Sequence, residues 1–294
     1  MDIRQLRQFL AVVDTGSFTK AADTLLVAQP SLSQTIKGLE RELGVTLFHR
    51  LGRTVSLSEA GKELEGPARL VVRDLETAEA HVQGLRGLQS GRIQIAAMPS
   101  PSIEPLTTLM SAFARAHPQI AFDLHGTFTV DETIEAVRYG RAEVGFLGGR
   151  EPLQVNDLRV IQLADQPLML AHNPEFSQFS DAEAVAPESL SGTRLVVSHK
   201  GSLMRAYVDE LIDSGTDIDI AAEVTHRSSI LPLVKAGIGH AVLPASWQSF
   251  ADAGQVRLLP IASAPSLHVS AIARAEGLTP AAGRFLKMVR DLAA

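Results

Sequence analysis

Gln29, Ser33 and Lys37 fall four residues apart, with Pro30, Ser31 and Gln34 set among them. On a helix that spacing stacks the first three along one face. Glutamine carries the donor and acceptor that match an adenine edge, and lysine reaches guanine or phosphate, so such a face can hydrogen-bond to bases exposed in a major groove. Arg50 and Arg53 follow around Gly52, where cations meet a phosphate backbone or a minor groove. A second set is dispersed: Ser100 and Ser102, Thr127 and Thr129, Lys200 and Ser202. Hydroxyls and free N–H groups at helix starts favour anions, and Lys200 adds positive charge. Thr225 and His226 are candidates for the same cleft. Taken singly, each of these serines and threonines reads first as an ordinary helix cap, and it is the set together that points to a small-molecule site.

The elements that must carry the first set are short helices. Leu6, Phe9, Leu10 and Val13 form one apolar stripe, ended by Gly16. Ser17 caps a second stripe of Phe18, Ala21, Ala22 and Leu25, whose small alanines allow close helix approach. Leu32, Ile36, Leu39 and Leu43 form a third, stopped by Gly44, with Pro30 in its first turn where a missing N–H costs nothing. Two extended pieces then run from Leu47 to Leu57. This pattern suits a winged helix-turn-helix reading DNA, and it also suits a small helical cap with a solvated polar face.

The charge is uneven. The chain has 294 residues and a formal charge of −6, yet residues 1–57 hold seven basic side chains against five acidic ones, and the rest twenty against twenty-eight. A basic head on an acidic body fits a chain whose first segment alone meets phosphates. The composition, 45% hydrophobic and 20% charged, is that of a folded protein of two or three domains. No cysteine means no disulfide, thiol switch or cysteine-based zinc site. The first residues lack a signal-peptide pattern and no apolar run reaches 18 residues, so the expected location is the cytoplasm.

From Leu57 a heptad runs through Leu64, Val71, Ala78 and Leu85, with Gly61, Ala68, Leu75 and Val82 on its second seam. It is read as a helix that pairs with a second copy, the alternative being a long surface helix packed on its own chain. Pro67 is expected to kink it, and Ser90-Gly91 to act as a hinge.

Residues 92–294 alternate strand and helix patterns. Ile93–Ala97, Ile120–Thr127, Glu143–Leu147, Arg194–Val197, Ala241–Leu243 and Leu267–Ala273 read as strands. One helix is expected through Ile103, Leu106, Met110 and Phe113. Others fall at Ile134 with Val137, at Val208 with Leu211, at Ile230 with Val234, and after Thr279-Pro280. Repeated βα units imply two largely parallel sheets with helices on both faces.

Leu6, Phe9, Val12, Gly16-Ser17-Phe18, Ala21-Ala22, Leu25, Gln29-Pro30, Ser33, Ile36, Leu39-Glu40, Leu43-Gly44, Leu47-Phe48, Arg50, Val55, Leu57 and Ala60-Gly61 together resemble the DNA-binding head of LysR-type transcriptional regulators. The resemblance is strong over the first 65 residues, weaker beyond, and covers essentially the whole chain. It implies an α/β protein with a winged helix-turn-helix at 1–58, a linker helix at 59–89 and a two-lobed, periplasmic-binding-protein-like effector domain at 90–294. Lobe I would be about 92–163 with 267–294, and lobe II about 164–266. It further implies a homodimer through the linker, a homotetramer, contact with RNA polymerase and an effector site between the lobes. Two heads on one dimer call for a partly palindromic DNA operator, and the convergence of helix starts on one cleft points to a small organic anion as effector, with no cofactor or metal expected. The absence of cysteine excludes thiol-based peroxide sensing. Ala28 stands where the family has Ser or Thr, which leaves the third helix without a side-chain cap. Gln34 stands where arginine is common, which alters base preference. Ser58 replaces a threonine and retains capping ability.

Other classes fit less well. The nine histidines show no zinc-ligand spacing, there is no Gly-x-Ser-x-Gly elbow, and Gly237-Ile238-Gly239 lacks the rest of a dinucleotide fingerprint. The chain is therefore not read as an enzyme. A transport binding protein would carry a signal peptide and no helix-turn-helix.

Overall fold

A computed structural model describes residues 1–51, 54–84, 91–253 and 255–293, without the side chains of residues 50, 51, 54 and 83. Contacts divide the chain into two units, one of Met1–Gln89 with Arg138–Arg141 and Glu276–Pro280, the other of Ser90–Val137, Ala142–Ala275 and Ala281–Ala294.

In the first unit the three apolar stripes become α1 (Ile3–Thr15), α2 (Phe18–Thr24) and α3 (Gln29–Leu43). Asp2 closes a reciprocal cap with Gln5 at the start of α1, and Ser17 caps α2 by accepting from Lys20 N–H. Gly16 and Gly44 take left-handed φ of 61° and 73° to end α1 and α3. The stripes meet around Phe9, Leu32, Ile36, Leu39 and Leu47, all fully buried or nearly so. Phe48 packs on Phe9 and Phe18 with ring centroids 5.3 and 5.7 Å away. β1 (Phe48–Leu51) and β2 (Thr54–Leu57) pair antiparallel as the wing.

α4 (Glu59–Gly84) runs as one helix through Pro67. Its heptad seam splits. Leu57, Gly61, Leu64 and Ala68 pack into the head of their own chain, with Ala68 buried, while Val71, Leu75, Ala78 and Val82 are exposed. A seam drawn by periodicity does not say where one partner hands over to another. Arg69 ties α4 to α1 through Asp14 and bonds Glu65 at 3.0 Å on its own helix. Leu85, the expected boundary at 89–90 and Ser90 of the hinge lie outside the described residues.

The second unit begins with β3 (Gly91–Ala97), α5 (Pro99–Ile103), α6 (Leu106–Ala116), β4 (Ile120–Gly126), α7 (Val130–Arg138), β5 (Val144–Gly149) and β6 (Leu158–His172). It continues with β7 (Thr193–Ser198), α8 (Leu203–Asp213), β8 (Ile218–Val224), α9 (Ile230–Lys235), β9 (Ala241–Pro244), α10 (Gln248–Ala253), β10 (Arg257–Pro260), β11 (Ser266–Arg274) and α11 (Pro280–Ala293). The expected single helix from Ile103 to Phe113 is broken in two, because Pro105 lacks the N–H that would continue it.

The architecture is α/β with two lobes, but the sheets differ from the expected largely parallel pair. β10, β6, β11, β5, β3 and β4 form one mixed seven-stranded sheet, with β9 also on β6. Among the described strands β3–β4, β3–β5 and the β7–β8 pair are parallel, and a parallel bridge of Leu195 with His240 joins β7 to the chain entering β9. The cause is the double crossing between lobes. β6 carries the chain out and β11 brings it back, so these neighbours run antiparallel. Within β6 the partner changes at the crossing: Pro167 faces Ser266 of β11, and Leu168 faces Pro244 of β9.

Each lobe sandwiches its strands. In lobe I, Phe146 packs on Phe285 of α11, while its neighbour Leu147 joins Ile134 and Val137 of α7 on the opposite face. In lobe II, Leu195 and Val197 pack with Tyr207 and Val208 of α8, and Val196 with Ile230 and Val234 of α9.

Candidate nucleic-acid interface and effector cleft

α3 has the two-faced character its sequence implies. Leu32, Ile36 and Leu39 are at most 2% exposed, whereas Pro30, Ser31, Gln34 and Lys37 are exposed. Gln29 and Ser33 are half-buried and joined, Gln29 Nε2 donating to Ser33 Oγ at 3.0 Å, which orients both at the start of the helix. Ala28 is the N-cap residue and makes no side-chain bond. The turn before it places Leu26 at φ 54°, 92% exposed. The wing is tied to α3 by Glu40, whose Oε1 accepts from Leu47 N–H at 2.8 Å. Ser58 accepts from Gly61 N–H at 3.0 Å and so caps the first turn of α4. The side chain of Arg50, and Arg53 altogether, lie outside the described residues.

The expected effector residues lie at strand ends and helix starts of the second unit, and most of their hydroxyls already have local work. Ser102 Oγ donates to Pro99 O at 2.7 Å. Buried Thr127 bonds Thr133 Oγ1 at 2.7 Å, and Thr133 donates in turn to Thr129 O at 3.0 Å. Thr129 caps α7 through Glu132 N–H, and Ser202 caps α8 through Arg205 N–H. Lys200, Thr225 and His226 are exposed. For Thr129 and Ser202 the capping role that the sequence left open is the one observed.

Ser100 is different. It is 1% exposed, lies on α5 in lobe I, and its Oγ accepts from Arg227 Nη1 at 3.5 Å and from Trp247 Nε1 at 3.3 Å, both from lobe II. Burial pushes the Arg227 guanidinium down to about pKa 10. Further contacts across the lobes include Phe128 against the His199 ring at 6.0 Å, the ion pair of Arg150 with Glu210, and Ile103 against the cluster around Trp247. Arg227 and Trp247 escaped the sequence reading. Arg227 follows directly on Thr225 and His226, and Trp247 is the one tryptophan of the chain, but no periodicity marks either as facing the cleft.

A helix-turn-helix head with a two-stranded wing, on the same chain as a two-lobed α/β domain, defines a DNA-binding regulator that answers to a small molecule. Residues 3–62 match the bacterial regulatory helix-turn-helix protein, lysR family, and residues 86–294 match the LysR substrate binding domain. The chain belongs to the LysR family of transcriptional regulators. It is 31% identical to a probable RuBisCO transcriptional regulator of Chlorokybus atmophyticus over 252 residues, 82% of this chain and 78% of that one. It is 27% identical to the Hca operon transcriptional activator HcaR of Escherichia coli K12 over 296 residues, 99% of this chain and 98% of that one. Among solved structures it resembles full-length CbnR complexed with its target DNA, at TM-score 0.70 and 25% identity, covering 100% of both chains. Among the described residues no helix is long and apolar enough to cross a membrane.

Proposed function

We propose that the exposed front of α3, with Gln29, Pro30, Ser31, Ser33, Gln34 and Lys37, lies in the major groove of the operator, and that Arg50 and Arg53 of the wing meet the adjoining backbone or minor groove. The observation that carries this is the contrast between the buried back of α3 and its exposed hydrogen-bonding front. The domain division we propose is a DNA-binding head at 1–58, a linker helix at 59–89 and an effector domain at 90–294.

Val71, Leu75, Ala78 and Val82 form an apolar stripe that their own unit leaves exposed, and this supports pairing of two linker helices. Two heads on one dimer require two half-sites related by a dyad. A tetramer would be two such dimers. The effector, a small organic anion, binds between the lobes near Ser100, Ser102, Thr127, Thr129, Lys200, Ser202, Thr225 and His226. It biases their closure and thereby the spacing of the heads and their contact with RNA polymerase. Such a protein acts in the cytoplasm, on DNA rather than as an enzyme. Footprinting on a genomic operator tests the reading: it expects two protected half-sites per dimer, and a single asymmetric contact region contradicts it.

A further inference from the structure

Two arginines of lobe II are buried to nearly the same degree, and their surroundings are opposite. Arg205 is 6% exposed and donates to Asp209 Oδ1 at 2.7 Å and Glu223 Oε2 at 2.6 Å, which together raise its pKa. Arg227 is 8% exposed, and among the described residues no carboxylate pairs with it. Among the described residues its Nη1 reaches only the neutral Ser100, and its Nε has no acceptor. A buried cation without a counter-charge is strongly disfavoured. The neighbouring groups add donors and no negative charge. Ser100 Oγ accepts from both Arg227 and Trp247, and its own proton has no acceptor among the described residues. Trp247 itself sits in an apolar cluster with Ile103, Met169 and Leu243.

We propose that Arg227, Ser100 and Trp247 form the seat of a single carboxylate, so that the effector is a small monocarboxylic acid with an apolar body. The proposal rests on the reading that the effector binds between the lobes, and it names the group that recognises it there. One guanidinium neutralises one carboxylate, while the Ser100 hydroxyl, its oxygen held by the Trp247 indole N–H, has its own proton to donate to a carboxylate oxygen. The apolar side chains around Trp247 suit the remainder of the acid.

The tryptophan makes the test specific, because it is the only one in the chain and it belongs to the seat. The full-length protein is titrated with a panel of straight-chain and aromatic monocarboxylic acids of two to ten carbons, with the matching amides and with inorganic phosphate. Trp247 emission and calorimetry are followed together. We expect at least one acid to bind saturably and change the emission, its amide to bind at least about tenfold more weakly, and Arg227→Gln to weaken the acid by a similar factor. Arg227→Gln without ligand should melt no lower than the wild type, which shows that the loss is not unfolding. Ser100→Ala, which keeps the charge, should weaken the acid less. An acid that changes Trp247 emission but binds Arg227→Gln as well as wild type overturns the seat and leaves the cleft reading standing. Calorimetric binding with no change in emission overturns the seat at Trp247, and binding that survives Lys200→Ala and Arg227→Gln together overturns the cleft reading itself. Equal affinity for amides, binding of phosphate alone, or no response to any acid overturns the proposal.

Discussion

Gly61 backs onto Leu47 so closely that a methyl group at its Cα would stand 2.3 Å from the Leu47 carbonyl oxygen and 2.8 Å from Leu57 Cδ2. The same carbonyl accepts from Ser58 N–H at 2.9 Å, and Ser58 Oγ reaches Thr46 O at 2.5 Å. This joint fixes where the linker helix leaves the head, because the strand entering the wing and the first turn of α4 share one set of backbone contacts.

Gly61→Ala should therefore loosen the head. Backbone stands where the new methyl must go, so relief by a side-chain rotation is not open to it. The expected loss is about 1–3 kcal/mol, the range for overpacking a close contact. Chemical denaturation of the full chain measures it, and operator affinity should fall with it.

Ala28→Ser should act in the opposite direction. Ala28 has the extended φ of −68° and ψ of 133° of a helix N-cap and offers no side-chain acceptor to the first turn of α3. A serine at that backbone geometry should stabilise the protein by about 1 kcal/mol. An upward shift of the thermal midpoint, with DNA binding retained, is the expected result.

His172 makes stability depend on pH. Its ring is fully buried, both ring nitrogens lack partners among the described residues, and its pKa is pushed down to about 4 by burial first, then by His240 and Arg257. The folded state thus keeps the ring neutral where the unfolded chain, titrating near 6.5, takes up a proton. This contribution is complete above pH 6.5 and is lost as the pH falls towards 4. His172→Leu should remove it. His240, also held below the usual imidazole range by burial, keeps part of the acid loss in the variant, so denaturant midpoints at pH 7 and 4.5 should lie closer together there, and the wild type should lose roughly 2–3 kcal/mol more than the variant over that interval.

The head was legible almost residue by residue, because helical stripes, the caps at Ser17 and Ser58 and the glycine stops at Gly16 and Gly44 are local signals that act within a few residues. The body was legible only in part. Its βα units announced two lobes, but β6 is a 15-residue strand shared by both, and no local pattern says that its partner changes between Pro167 and Leu168. Strand pairing between β6 and β11 joins residues about a hundred positions apart, which periodicity does not reach. At the cleft, residue type alone could not separate Thr129 and Ser202, which are caps, from Ser100, whose oxygen faces the other lobe. Arg227 carries its meaning in what it lacks among the described residues, a carboxylate partner, and that is a property of the folded neighbourhood.

Gln34 offers the sharpest test of how α3 meets DNA, since it is exposed on the front and removing its amide disturbs no core. The measurement is the ratio of affinities for an operator selected from random duplexes and for a scrambled duplex, at one fixed salt concentration, in wild type and Gln34→Ala. The predicted result is a loss of about 1–3 kcal/mol on the operator with scrambled DNA bound as before, whereas Lys37→Ala at a phosphate would weaken both alike. An unchanged ratio in Gln34→Ala, with the operator still bound at full strength, would contradict the placement of this face against the bases.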